Sequence, residues 1–132
     1  MAYEYYQPNP IRFDPVGDCT VRALSKALDI DWEKAHVMLD YNSYMMGDVS
    51  NSNAVMAAVL RNNGFYTATI PDTCPDCYTA EDFANDHPIG TFMLGFGNHV
   101  VTVKDGVIYD AWNSSGLVPI YYFYKKDERK DD

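Results

Sequence analysis

The stretch DPVGDCTVRALSKAL, residues 14–28, decides how this chain is read. A Gly17-Asp18 turn leads at once to Cys19. An apolar period of Val21, Leu24, Ala27 and Leu28 follows, with Arg22 and Lys26 off that face, so a helix is expected to begin at the cysteine. At a helix start the sulfur lies near unpaired backbone N–H groups and the positive end of the helix dipole, where a thiolate is favoured. The competing role for Cys19 is that of a small buried hydrophobe on the first turn.

Working outward, a second helix is expected from the N-cap Asp31, carrying Trp32, Ala35 and Leu39 through about Tyr41. YMMGDVSNSN (44–53) reads as a loop, and its polar end Ser50–Asn53 caps the helix AVMAAVLRNN (54–63), which stops at Gly64. The period then changes to strand-like. FYTATI (65–70) is followed by a loop and a short helix within TCPDCYTAEDFANDHP (73–88), capped by Thr79. Further strands are expected at 91–96, 99–103, 107–112 and 118–125, with Lys104-Asp105-Gly106 as a hairpin turn. Residues 1–16 carry Pro8, Pro10 and Pro15 and read as an extended arm; 126–132 has mixed charge and reads as a frayed tail. The expectation is one α+β domain over residues 1–132, its N-terminal helices packed on a small antiparallel β-sheet laid out as a meander.

Composition narrows the function classes. The 132 residues are 47% hydrophobic and 14% aromatic, which suits a folded core. Lys+Arg number 10 against 19 Asp+Glu, a net charge of −9, so neither nucleic acid nor an anionic membrane surface is an expected partner. No window approaches ~18 consecutive apolar residues, and MAYEYYQPNP has no secretory signal pattern. With three cysteines, a closed disulfide framework is not expected; the chain reads as soluble, reduced and cytoplasmic.

A cysteine nucleophile needs a base within reach, and the base needs an orienting group. The histidines are His36 in the second helix, His87 before a proline at a helix end, and His99 opening a strand after GFGN. With a two-residue Asp105-Gly106 turn, Val103 faces Ile108, and Asp110 becomes the diagonal neighbour of His99. A three-residue turn with a Gly106 bulge slips the register by one and offers Asn113 instead. Asp110 is favoured, because a carboxylate between Tyr109 and Ala111 on an apolar strand needs a hydrogen-bonding partner. Trp112 is a candidate cleft wall.

The order of GDCTVRAL around Cys19, GNHVVTVKDG around His99 and YDAWNSS around Asp110 and Asn113 resembles the papain-like cysteine peptidases. It is closest to small papain-fold proteins of bacteria and their phages, some similar to bacteriocin-processing peptidases. IPDTCPDCYT, HPIGTFMLGFGNHVV and VPIYYFY extend the likeness over nearly the whole chain. The resemblance implies a papain-like fold and a thiolate–imidazolium pair, with Cys19 as nucleophile, His99 as base and acid, Asp110 as orienter and no cofactor. It implies hydrolysis or acyl transfer on a peptide, isopeptide or amide substrate. In one respect the sequence departs from the family, which places a Gln about six residues before the Cys to complete the oxyanion hole; here Phe13 stands there, beside Asp14. The candidate donors become the Cys19 backbone N–H, Gln7 and Asn9.

Two other readings accompany this one. Cys74 and Cys77 in CPDC, with His87 as a third ligand, are candidates for a metal site, against a reversible loop disulfide or two plain thiols. The departure at Phe13 and the acidity suit an inactive papain-fold binding protein of phage or mobile-element origin, masking a host protein that offers a basic surface.

Overall fold

A computed structural model describes residues 2–12 and 17–125. The elements run β1 (Tyr3–Tyr5), α1 (Cys19–Leu28), α2 (Trp32–Met46), α3 (Asn53–Asn62), β2 (Phe65–Thr69), α4 (Ala80–Asp86), β3 (Thr91–Gly95), β4 (Val100–Lys104), β5 (Val107–Asp110) and β6 (Tyr121–Lys125). Among the described residues this is an α+β arrangement of four helices and one six-stranded sheet in the order β1-β5-β4-β3-β6-β2. Among the described residues, no helix is long and apolar enough to cross a membrane.

Local chemistry sets most boundaries. Asp31, Ser52 and Thr79 each accept a backbone N–H of their helix's first turn, and Thr79 completes a capping box with Asp82. α1 ends through Asp29 in the left-handed region, where the Ile30 N–H returns to the Ser25 carbonyl at 3.0 Å. α2 runs to Met46, five residues past the expected end. Nothing in Asn42–Met46 breaks a helix before Gly47, and its outer side chains Tyr44 and Met45 are exposed, so burial gave no period to follow.

The sheet corrects the expected antiparallel meander. Only β3, β4 and β5 are consecutive neighbours; β6 crosses to lie between β3 and β2. β1 pairs parallel to β5, Tyr5 opposite Asp110, so the sheet is mixed and part of the expected arm is an edge strand. Its three residues, with Pro8 close behind, show no alternating pattern. Residues 13–16 and 126–132 of the expected arm and tail lie outside the described residues.

Helices cover both faces of the sheet. Met93, Val100 and Phe123 join Leu24, Leu39, Met56 and Leu60 in one core beneath α1, α2 and α3. Phe92, Leu94, Val101, Val103 and Ile108 point the other way, against Phe83 and Ala84 of α4. The period-two alternation of each central strand thus feeds two cores. On the α1 face, Thr102 replaces an apolar residue and donates its hydroxyl to the Ala23 carbonyl at 2.6 Å, pinning α1 to β4. The turn between β4 and β5 is the two-residue Asp105-Gly106 type, with Val103 opposite Ile108 and Lys104 opposite Val107. The start of β4 and the end of β5 therefore share one end of the sheet, and α1 begins there.

At that end the Tyr121 ring lies flat over Gly95, its cross-strand partner; a Cβ on Gly95 would fall 1.9 Å from the Tyr121 Cζ. Gly95→Ala is expected to cost about 1–3 kcal/mol in urea unfolding through this overlap. In a Tyr121→Ala background most of that cost should vanish, a non-additivity that a double-mutant cycle reads directly.

Candidate active site

Cys19 is half-buried and not in a disulfide. Its residue opens α1, and the N-cap Asp18 gives that helix no side-chain cap. The Asp18 carboxylate instead turns inward, accepting from Arg22 Nη1 at 2.6 Å, Trp32 Nε1 at 3.0 Å and Asn9 Nδ2 at 3.2 Å. The first-turn N–H groups beside the sulfur are thereby left without that acceptor, and they carry the partial positive charge of the helix end.

His99 precedes β4 and Asp110 ends β5, so the hairpin brings them side by side. Nε2 of His99 lies 2.7 Å from Asp110 Oδ2. The carboxylate accepts, so Nε2 carries the proton and Nδ1 remains for the sulfur. Cys19, His99 and Val100 line one cavity, and the His99 side chain and the Val100 backbone both favour the Cys19 thiolate. The imidazole lies between Phe96, stacked at 6.0 Å, and Trp112, at 4.8 Å, and its side chain is 10% exposed.

Asp110 has no exposure at all. Oδ2 accepts from His99 and from Ser114 Oγ at 2.7 Å; Oδ1 accepts from Arg22 Nη2 at 3.0 Å and from the Ala111 N–H at 2.7 Å. All of its acceptor directions are used.

These contacts set the ionisation states. For Cys19, burial pushes the thiol up, but the hydrogen bond from His99, the Val100 N–H and the charges of His99 and Arg22 outweigh it, leaving the thiol below its ordinary value. For His99, burial pushes down, while the hydrogen bonds to Asp110 and Cys19 prevail and raise it to about 9. Asp110 is likewise opposed by burial, yet the donors His99 and Ser114 hold its carboxyl below the usual range.

Two cavities meet over the start of α1. One of about 300 Å³ is lined by Cys19, His99, Phe96, Asn98 and Tyr121. The other, about 560 Å³, is lined by Trp32, His36, Val21 and Asn9; Gly17, Thr20 and Asn51 border both.

The other sequence candidates fall as follows. Asn113 is exposed and accepts the Ser115 N–H, so it is not the partner of His99. The two-residue turn decides this in favour of Asp110. Asn9 spends its side chain on Asp18 and on the N–H groups of Ile11 and Arg12; Gln7 accepts the Asn9 N–H. Neither lines the cavity beside Cys19. Phe13 and Asp14 lie outside the described residues. Trp112 is 48% exposed and does flank His99.

Cys74 and Cys77 are joined to each other in a disulfide, the loop-disulfide alternative to the metal site, although the chain as a whole was expected to be reduced. His87 is not with them: it stacks on Phe83 and donates from Nδ1 to the Phe83 carbonyl at 2.8 Å. The structure thus does not assemble the candidate metal ligands. Two contributors were missed in the sequence. Arg22 lies off the apolar face of α1, as expected, yet is only 5% exposed; its spacing of four from Asp18 is the signal that points to a buried partner. Ser114 carried no signal, being one hydroxyl in a loop.

Comparison with family models, with curated proteins and with solved structures finds no match for this chain.

The shifts make stability depend on pH at both ends. Asp110 is lowered from 3.8, so its ionised form stabilises the fold above that value and the contribution is lost as pH falls through the lowered one. His99 is raised from 6.5 to about 9, so its contribution is complete below 6.5 and lost as pH rises through about 9. Urea midpoints measured across pH should therefore show a flattened acid limb in Asp110→Asn and a flattened alkaline limb in His99→Gln.

Proposed function

We propose that the protein is a papain-like cysteine-dependent hydrolase or acyl-transferase, acting on a peptide, isopeptide or amide carbonyl. The observation that carries this reading is an imidazole held by Asp110 through Nε2 that lines one cavity with Cys19, the residue that opens α1.

With His99 raised to about 9 the ring is imidazolium near neutral pH, and the lowered thiol beside it is shifted toward the thiolate that this reading requires. The Cys19 thiolate attacks the carbonyl carbon, and the carbonyl electron pair moves onto oxygen. The N–H groups of the first turn of α1 receive that oxyanion, the role given in the papain-like family partly to a Gln. His99 passes its Nδ1 proton to the leaving nitrogen as the C–N bond breaks, which leaves an acyl-thioester on Cys19 and a free amine. Water, or a second amine in the transferase case, then attacks the thioester while His99 takes up its proton; the thiolate departs. Asp110 keeps the ring in one orientation and balances the imidazolium, and Phe96 and Trp112 restrict water around it.

The test is iodoacetamide alkylation of Cys19 from pH 4 to 9, followed by peptide mapping. Rapid labelling at pH 5 is expected in the wild type, with a loss of about 10²-fold or more in His99→Ala, because that loss removes the thiolate. Turnover of acyl substrates should vanish in Cys19→Ala. Labelling that rises only near the free-thiol value of ~8.5 would overturn the reading and turn attention to a non-catalytic binding protein.

A further inference from the structure

The guanidinium of Arg22 is buried between two carboxylates that belong to the two halves of the site. Nη1 lies 2.6 Å from Asp18 Oδ1, and Nη2 lies 3.0 Å from Asp110 Oδ1. Asp18 is the residue immediately before Cys19, while Asp110 holds the base. One rigid fork therefore spans from the start of the nucleophile's helix to the end of the strand that orients His99. We propose that Arg22 is a positioning residue of the Cys19–His99 pair, setting the nucleophile through Asp18 and the base through Asp110. The inference rests on the thiol reading given above and deepens it.

A plain structural ion pair is a poorer account of these contacts. The side chains of Arg22, Asp18 and Asp110 are 6%, 6% and 0% exposed, and two charges removed from water contribute little net stability unless geometry and extra hydrogen bonds compensate. Here Asp18 is further held by Asn9 and Trp32, and Asp110 by His99, Ser114 and the Ala111 N–H. The order of charge from Asp18 through Arg22, Asp110 and imidazolium to thiolate alternates in sign at every step. Without Arg22, Oδ1 of Asp110 keeps only the N–H of its own neighbour, and Asp18 and Asp110 become two buried carboxylates with no cation between them. The charged and titratable groups facing this arginine are Asp18 and Cys19 at the start of its own helix, Asp110 on β5, and Tyr3 on β1, whose hydroxyl donates to the Asp110 carbonyl at 3.3 Å; His99 lies beyond Asp110, on its other carboxylate oxygen.

The experiment compares Arg22→Gln, which keeps hydrogen-bond donors but no charge, with Arg22→Lys, which keeps charge but no fork. Each is read below its own unfolding midpoint, alone and in an Asp110→Asn background. Arg22→Gln should move the acidic limb of Cys19 alkylation up by about one pH unit, a roughly tenfold slower reaction at pH 5. Arg22→Lys should recover part of that, and Arg22→Gln should add less than about twofold once Asp110 is Asn. An unmoved limb, or an equal shift in both backgrounds, overturns the proposal. If Arg22→Gln does not fold, the Arg22→Lys shift decides alone.

A second readout does not depend on thiol reactivity. The Nε2–H proton of His99 should exchange slowly with solvent in the wild type by NMR and at least tenfold faster in either Arg22 variant. A wild-type limb near ~8.5 defeats the thiol reading. An unchanged Nε2–H exchange rate defeats this one.

Discussion

A carboxylate with no solvent exposure, at the end of β5, is the constraint around which this protein is arranged. An isolated buried carboxylate would take up a proton rather than remain charged. Asp110 avoids this only because four donors converge on it from α1, from the residue before β4, from its own backbone and from the following loop. Those donors cannot be supplied by one segment. The hairpin, the first helix and the 111–120 loop must all be in place for the group to stay ionised once it is buried, so the charged site depends on the packing of α1 on β4.

The start of α1 shows what this arrangement displaces. Asp18 is a good N-capping residue, and capping is typically worth about 1 kcal/mol. Here the side chain serves Arg22, Trp32 and Asn9 instead and gives the helix's first N–H groups no cap. A local stabilising contact has been given up at the position where, in the proposed mechanism, a developing negative charge is received. Such exchanges of local stability for a specific electrostatic environment are expected where a chain carries chemistry.

Much of this was legible from local signals. The apolar period of Val21, Leu24 and Ala27, the caps Asp31, Ser52 and Thr79, and the stop at Gly64 act over a single turn of chain. Sequence neighbours alone therefore specify them. The Asp105-Gly106 pair marked the hairpin but left two registers open; the two-residue turn of the folded chain selects Asp110 over Asn113. What stayed hidden depended on partners distant in the chain. The pairing of β1 with β5 spans over a hundred residues, the insertion of β6 between β3 and β2 leaves no trace in either strand's own pattern, and α2 continued past Tyr41 on an exposed face that carries no period.

The division is plainest in α1. By itself the sequence determined that a cysteine opens an amphipathic helix and that a histidine and an aspartate flank a tight hairpin, because those features are set by bonds within a few residues. Only the tertiary structure decided that Arg22, off the apolar face of that helix, is buried. A guanidinium can be buried only where two carboxylates and their own donors meet it, and Asp18 and Asp110, distant in the chain, come together only when the sheet and the helix have packed.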